Sequence, residues 1–281
     1  MTDSLPPAIR SLSNPKVRRL AKLRDNRTRR QAKSVLVDGW RESAHALQAG
    51  LELVGLYLSS EEFSKSQTSG NPGQRKILQQ ATQVNGLNLV TDAVMSKISF
   101  GQSPRGVVAE FKEPQSDLYG LKLSKNPLIL ILDRIEKPGN IGAVFRSADA
   151  AGVDAILLCD CTDRFNPNAI RNSQGAIFHV PSAVGSEQEI TAFIGKQKIQ
   201  PFAARVESSD VLWKVELTKP TAIILGNEAD GLKERWQESS SGPISGIRIP
   251  MNGKTDSLNV SVTAAVIAME AARQRSLIEM R

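Results

Sequence analysis

The feature that most constrains this chain is a set of continuous apolar strands, each running into a polar, Gly- and Asn-bearing segment. Residues 128–132 read Leu-Ile-Leu-Ile-Leu, with no alternation of polar and apolar side chains. A strand of that kind is covered on both faces, as in a parallel sheet. Further strands are expected at 155–158, 176–180, 202–205, 222–225 and 247–249, and helices at 143–151, 168–174, 187–198, 232–238 and 260–275. Strand–helix alternation of this sort predicts an α/β domain built on a parallel sheet. A shorter alternation precedes it. Strands are expected at 34–38, 53–58, 87–90 and 106–111, helices at 41–49 and 75–83, and a Ser-, Gly- and Pro-rich loop at 59–74. A chain of 281 residues has room for two such domains. The expected division is a basic arm with a small α/β domain at 1–113, a linker at 114–126 holding Pro114 and Gly120, and a parallel-sheet α/β domain at 127–281.

Charge separates the two parts. The chain carries +7 at neutral pH. Residues 1–33 hold ten Lys or Arg against two acids, so this segment alone carries +8 and the remainder −1. Charges of one sign that dense repel one another unless an anion joins them. Ile9, Leu12, Val17, Leu20 and Leu23 recur among the cations, which predicts one short amphipathic helix with a basic outer face. The apolar stripe has no aromatic anchors, so a nucleic acid is favoured over a lipid surface. Lys16, Arg18, Arg19, Arg27, Arg29 and Arg30 are the candidate RNA contacts.

Several chemistries are excluded. The two histidines, His45 and His179, are far apart, and the two cysteines, Cys159 and Cys161, form one C-x-C pair. That set builds neither a zinc site nor a Ser-His-Asp or Cys-His engine, and no metal is expected. His45 reads as a helix-surface residue and His179 as a structural residue on a strand. No apolar run approaches the ~20 residues of a membrane span. The N-terminus has no basic segment followed by an apolar one, so a cytoplasmic protein is expected.

Three segments carry the chemistry. The first runs from Leu132 through Asp133, Pro138, Gly139, Asn140 and Gly142 to Arg146. The second is Gly226-Asn227-Glu228 with Gly231 behind it. The third is Ile249-Pro250-Met251-Asn252-Gly253, continuing to Ser257-Leu258-Asn259-Val260-Ser261. Each follows an expected strand, and ligands of open α/β sheets bind at the carboxyl ends of strands. Taken singly, each segment could be a turn or a helix cap; together they suggest one composite pocket. Neither a G-x-G-x-x-G dinucleotide loop nor a P-loop is present.

These segments resemble the three motifs of the SpoU/TrmH family of RNA ribose 2′-O-methyltransferases in the SPOUT superfamily. The resemblance rests on P-G-N-x-G-x-x-x-R, on G-N-E-x-x-G and on I-P-M followed by S-L-N-V-S, and covers roughly residues 127–275. A looser likeness to the family's N-terminal substrate-binding module lies in residues 11–16, Val37-Asp38-Gly39 and residues 103–107. Asp38 stands where relatives commonly carry Glu, and Asn168 where many carry Lys.

The resemblance implies a trefoil knot, a homodimer with the site near the subunit interface, and S-adenosylmethionine as methyl donor. It implies that Gly226, Ile249 and Leu258 contact the cofactor, with Ser257 and Met251 beside them. Arg146 matches the essential arginine of the family. A guanidinium holds its proton too tightly to act as a base, so Arg146 is read as the cation that binds substrate phosphate and steadies the developing alkoxide. Asn140 is expected to position ribose or Arg146, Glu228 to orient Arg146 or substrate, and Asn259 to shape the same pocket. The implied reaction is ribose methylation of structured RNA, rRNA ahead of tRNA. A non-catalytic RNA-binding or ribosome assembly factor on the same fold, and a base methyltransferase, are the alternatives.

Overall fold

The computed structural model describes residues 7–100, 104–207, 210–239 and 242–279. Ser103, one of the residues in the looser likeness, lies outside them. The chain forms two units, Met1–Pro114 with Phe165–Phe178, and Gln115–Arg164 with His179–Arg281.

In the first unit, α1 (Pro15–Lys22) and α2 (Asn26–Ala32) precede β1 (Ser34–Asp38), α3 (Trp40–Gln48) and β2 (Leu53–Ser59). Then come α4 (Ser60–Ser69), α5 (Pro72–Gln83), β3 (Leu87–Val90), α6 (Asp92–Ile98) and β4 (Val107–Lys112). The sheet order is β1-β4-β2-β3, antiparallel except for β2 with β3.

The basic arm is two helices, not one. Asp25 breaks the run by capping α2 through its carboxylate and the Thr28 N–H. Val17, Leu20 and Leu23 are fully buried and pack with Leu36, Tyr57, Val94, Met95 and Ile98. The arm is therefore part of this unit's core. Arg19 adds a bidentate pair to the buried Glu110, at 2.6 and 2.5 Å.

Residues 60–69 are helical where a loop is expected. Ser59 accepts the Glu62 N–H, Glu61 and Glu62 sit at the positive helix end, and Lys65 pairs with Glu61 one turn on. Capping and charge placement outweigh the serine-rich composition.

The second unit opens with residues 115–127, which are not a free linker. Leu118 is buried in the unit's core, with Leu121 and Leu123 packed against it. β5 (Leu128–Asp133), α7 (Pro138–Ala151) and β6 (Ala155–Cys159) follow. The chain then makes α8 (Pro167–Ser173) and α9 (Ala176–His179) before β7 (Ser182–Val184), α10 (Glu187–Lys196), β8 (Gln200–Ala204), β9 (Asp210–Val211) and β10 (Thr221–Leu225). It ends with β11 (Glu238–Ser239), β12 (Gly242–Pro243), β13 (Ser245–Arg248) and α11 (Val260–Glu279).

Three expectations change here. Phe165–Phe178 belongs to the first unit although it lies within the sequence of the second. Arg171 accounts for this: its guanidinium donates to the Phe100 carbonyl at 2.7 Å and pairs with Asp38 at 3.2 Å. Residues 176–179 are one helical turn, not a strand. Residues 232–236 are turns and bends and Glu238 opens β11, so 232–238 are not a helix; Lys233 and Trp236 sit at positive φ, 47° and 57°.

The sheet of the second unit runs β7-β6-β5-β10-β8-β13-β9, with every pair parallel. The continuous apolar strands are accordingly buried along their whole length. Among the described residues no helix is long and apolar enough to cross a membrane.

Arg29 is 1% exposed and donates to the carbonyls of Leu23 and Arg24 at 2.7 and 2.8 Å. Arg29→Ala strands those carbonyls and is expected to cost about 2–3 kcal/mol in urea unfolding. Exposed Arg30→Ala is expected to change stability by less than about 0.5 kcal/mol.

Candidate functional site

Because all neighbouring strands of the second sheet are parallel, their carboxyl ends lie on one side. β5 and β10 are direct neighbours, with Leu132 opposite Leu225. β10 pairs with β8 and β8 with β13. The segments after β5, β10 and β13, far apart in sequence, therefore leave the sheet together.

A cavity of about 1020 Å³ is lined by the segments after β8, β10 and β13 and by the start of α11. Gly226, Ile249, Met251, Ser257 and Leu258, the five expected cofactor residues, all line it, together with Glu228. Gly226 is required by packing. A Cβ there would sit 2.4 Å from the Gly231 carbonyl carbon and 2.7 Å from the Leu232 nitrogen. Those are backbone atoms that cannot swing aside. The turn between is tied by Asn227, whose side-chain oxygen accepts the N–H groups of Ala229 and Asp230 at 3.1 and 2.7 Å.

The three segments are joined by a polar line. Asn140, in the first turn of α7, donates through its side-chain amide to the Glu228 carboxylate. Its oxygen accepts from the Asn259 amide at 3.4 Å. Asn259 in turn caps α11, accepting the Ser261 N–H at 2.9 Å. Three of the four expected catalytic residues are thus brought together. The fourth is not part of this line. Arg146 is exposed on α7 and has no hydrogen bond to Asn140, Glu228 or Asn259 among the described residues. Glu228 orients Asn140, and both polar ends of Asn140 are occupied; neither holds Arg146.

Sequence reasoning missed Arg205 and Glu207, which line the cavity after β8. No Gly- or Asn-rich segment marks that strand end. Arg205 donates to the carbonyls of Lys233 and Arg235 at 2.8 and 2.6 Å, and so shapes the loop beyond Gly231. Burial pushes the thiols of Cys159 and Cys161 up to about 12, so neither is a thiolate at neutral pH.

The candidate RNA contacts divide. Lys16, Arg18, Arg27 and Arg30 are exposed on α1 and α2, as is Lys22. Arg29 is buried, with its hydrogen-bonding fork turned onto the backbone, so it is removed from the set. Arg19 is partly exposed but committed to Glu110.

The SpoU rRNA methylase family model matches residues 127–269, and an MRM3-like substrate binding domain matches residues 14–109. The chain belongs to the SpoU rRNA methylase family. It is 29% identical over 280 residues to a 23S rRNA (uridine(2479)-2′-O)-methyltransferase from Streptomyces viridochromogenes, covering 96% of this chain and 94% of that protein. A crystal structure of an RNA 2′-O ribose methyltransferase superposes with TM-score 0.78 at 36% identity, covering 96% of this chain and all (100%) of that one. An AdoMet-bound rRNA methyltransferase from Sinorhizobium meliloti superposes with TM-score 0.82 at 26% identity, over 95% of this chain and 97% of that one.

Both SpoU-domain cysteines should resist alkylation. A thiol whose pKa is about 12 is protonated at pH 8, so native protein is expected to take up no iodoacetamide there, while urea-unfolded protein takes up two equivalents. Rapid labelling of the native protein would contradict the burial described.

Proposed function

We infer that this SpoU-family chain transfers a methyl group from S-adenosylmethionine to a ribose 2′-hydroxyl of RNA, ribosomal RNA ahead of transfer RNA. The observation that carries the reading is the cavity lined by the segments after β8, β10 and β13, with Asn140, from the segment after β5, bonded to Glu228 of its lining and to Asn259.

The cavity fits the cofactor. Gly226 leaves the backbone bare where a Cβ has no room, and Ile249, Met251 and Leu258 supply apolar wall. When bound, S-adenosylmethionine supplies a methyl group already activated on sulfur. The chain must then hold the ribose, lower the cost of the forming alkoxide and let its proton leave. Asn140 is fixed at both polar ends, so it locks the first and third segments to the Glu228 turn. Arg146 is exposed on α7, where its guanidinium can meet a substrate phosphate. The hydroxyl proton passes to that phosphate, to Glu228 or to water.

The reading includes the trefoil knot of the family and a homodimer. The homodimer is supported by exposed apolar residues on α11. Val262 and Met269, one heptad apart, are each 45% exposed, and Leu277 and Ile278 extend the patch. The working compartment in this reading is the cytoplasm. The exposed cations of α1 and α2 are the RNA grip. Their helices are core elements, so deleting residues 1–33 would unfold the unit instead of testing the grip.

Arg146→Ala is expected to abolish methyl transfer to RNA while S-adenosylmethionine affinity, by calorimetry, stays within about threefold. Loss of both would place Arg146 in the cofactor site. Gly226→Ala is expected to weaken cofactor binding by at least ~100-fold, about 2.7 kcal/mol, with circular dichroism unchanged. Reversing charge at Arg18, Lys22, Arg27 and Arg30 should flatten the slope of log K against log salt for RNA by about 3. An unchanged slope would make that face merely solvated.

A further inference from the structure

The loop beyond Gly226 is held in a conformation its own sequence does not favour. Five non-glycine residues of the second unit have positive φ among those described: Arg134, Asp160, Lys198, Lys233 and Trp236. Arg134 and Asp160 directly follow β5 and β6, and Lys233 and Trp236 flank Arg235, whose guanidinium meets Asp133 and Asp160. For a side chain as bulky as Trp236 this conformation costs of order 1–3 kcal/mol, and it persists only where surroundings impose it.

What imposes it centres on Asp133, the last residue of β5, which is 0% exposed. One carboxylate oxygen lies 3.2 Å from the Arg134 Nε and the other 3.0 Å from an Arg235 Nη. Both arginines act on the loop. The Arg134 guanidinium donates to the Gly231 carbonyl at 3.3 Å, the same carbonyl group that closes on Gly226. Arg235 belongs to the loop itself. Its guanidinium also meets Asp160 at 3.1 Å, Cys159 Sγ at 3.2 Å and Glu187 at 3.0 Å. Glu187 accepts the Trp236 N–H at 2.7 Å. The cluster of Asp133, Cys159 and Asp160 has the donor types of a small cation site, but a guanidinium nitrogen of Arg235 already fills it.

We propose that Asp133 is a positioning residue for the cofactor: through Arg134 and Arg235 it pins the Gly231–Trp236 loop in the strained form that walls the S-adenosylmethionine cavity. Asp133 touches neither substrate nor cofactor in this account. Its buried charge is compensated only while both arginines stay folded over it, and that requirement is what keeps the loop closed. The inference rests on the cofactor reading given above.

The test uses the full chain and Asp133→Asn, which keeps shape and removes charge. In the cofactor-free protein, hydrogen exchange of the amides of residues 231–236 is expected to quicken at least ~10-fold, with the rest of the sheet unchanged. S-adenosylmethionine affinity by calorimetry is expected to fall at least ~10-fold and its KM to rise in step, while kcat at saturating cofactor and KM for RNA stay within about twofold. Arg134→Met, at a partly exposed site, is the second variant. It is expected to give the same pattern at roughly threefold, and it decides the matter if Asp133→Asn does not fold. Unchanged exchange and affinity in the folded variants, or a lost kcat at unchanged affinity, would overturn the proposal. Failure of the unaltered protein to bind S-adenosylmethionine would instead overturn the cofactor reading, and the exchange result would stand by itself.

Discussion

The site depends on one pairing, β5 beside β10 in parallel. That register puts Leu132 opposite Leu225, so the next residues of each strand, Asp133 and Gly226, emerge side by side. Much of the site is hung on those two strand ends. From the first come Arg134 and the helix carrying Asn140 and Arg146. From the second come Gly226 and the turn carrying Glu228. Parallel strands bring such distant segments to one side; an antiparallel neighbour would send them to opposite ends.

Burial then fixes how close the segments come. Gly226 lies against the Gly231 backbone at a separation no side chain permits, so the loop folds back directly over the strand end. Charge completes the arrangement. Arg205 gathers the carbonyls of Lys233 and Arg235, and Arg134 that of Gly231, while Asn140 ties the Glu228 turn to the cap of α11. The cavity wall is thus set mainly by backbone groups held from outside. Arg146 is left exposed on α7.

Much of this was legible in the sequence for a physical reason. Continuous Leu/Ile strands have one stable environment, and Gly and Asn after them mark backbone that must turn sharply or approach closely. Hence the parallel sheet and the three polar segments were recoverable, while the five expected cofactor residues came from the family resemblance that those segments carry. What was not legible turns on tertiary partners. Arg29 reads as one more exposed cation until its carbonyl partners fold around it. Residues 232–238 have helical composition, but Lys233 and Trp236 take positive φ in a loop bonded to Arg205 and Glu187. Arg171 sends its segment to the first unit by binding Asp38 and Phe100, 133 and 71 residues earlier in the chain. Serine-rich residues 60–69 form a helix because their caps and charges outvote their composition.

The central claim is that these joined loops place a methyl group on ribose. The most direct test is to incubate the full chain with isotope-labelled S-adenosylmethionine and ribosomal RNA lacking the modification, digest the RNA to nucleosides, and locate the label by mass spectrometry. The account predicts one labelled nucleoside, with the methyl group on the ribose. Label on a base, or no transfer to any RNA by a protein that binds the cofactor, would contradict it.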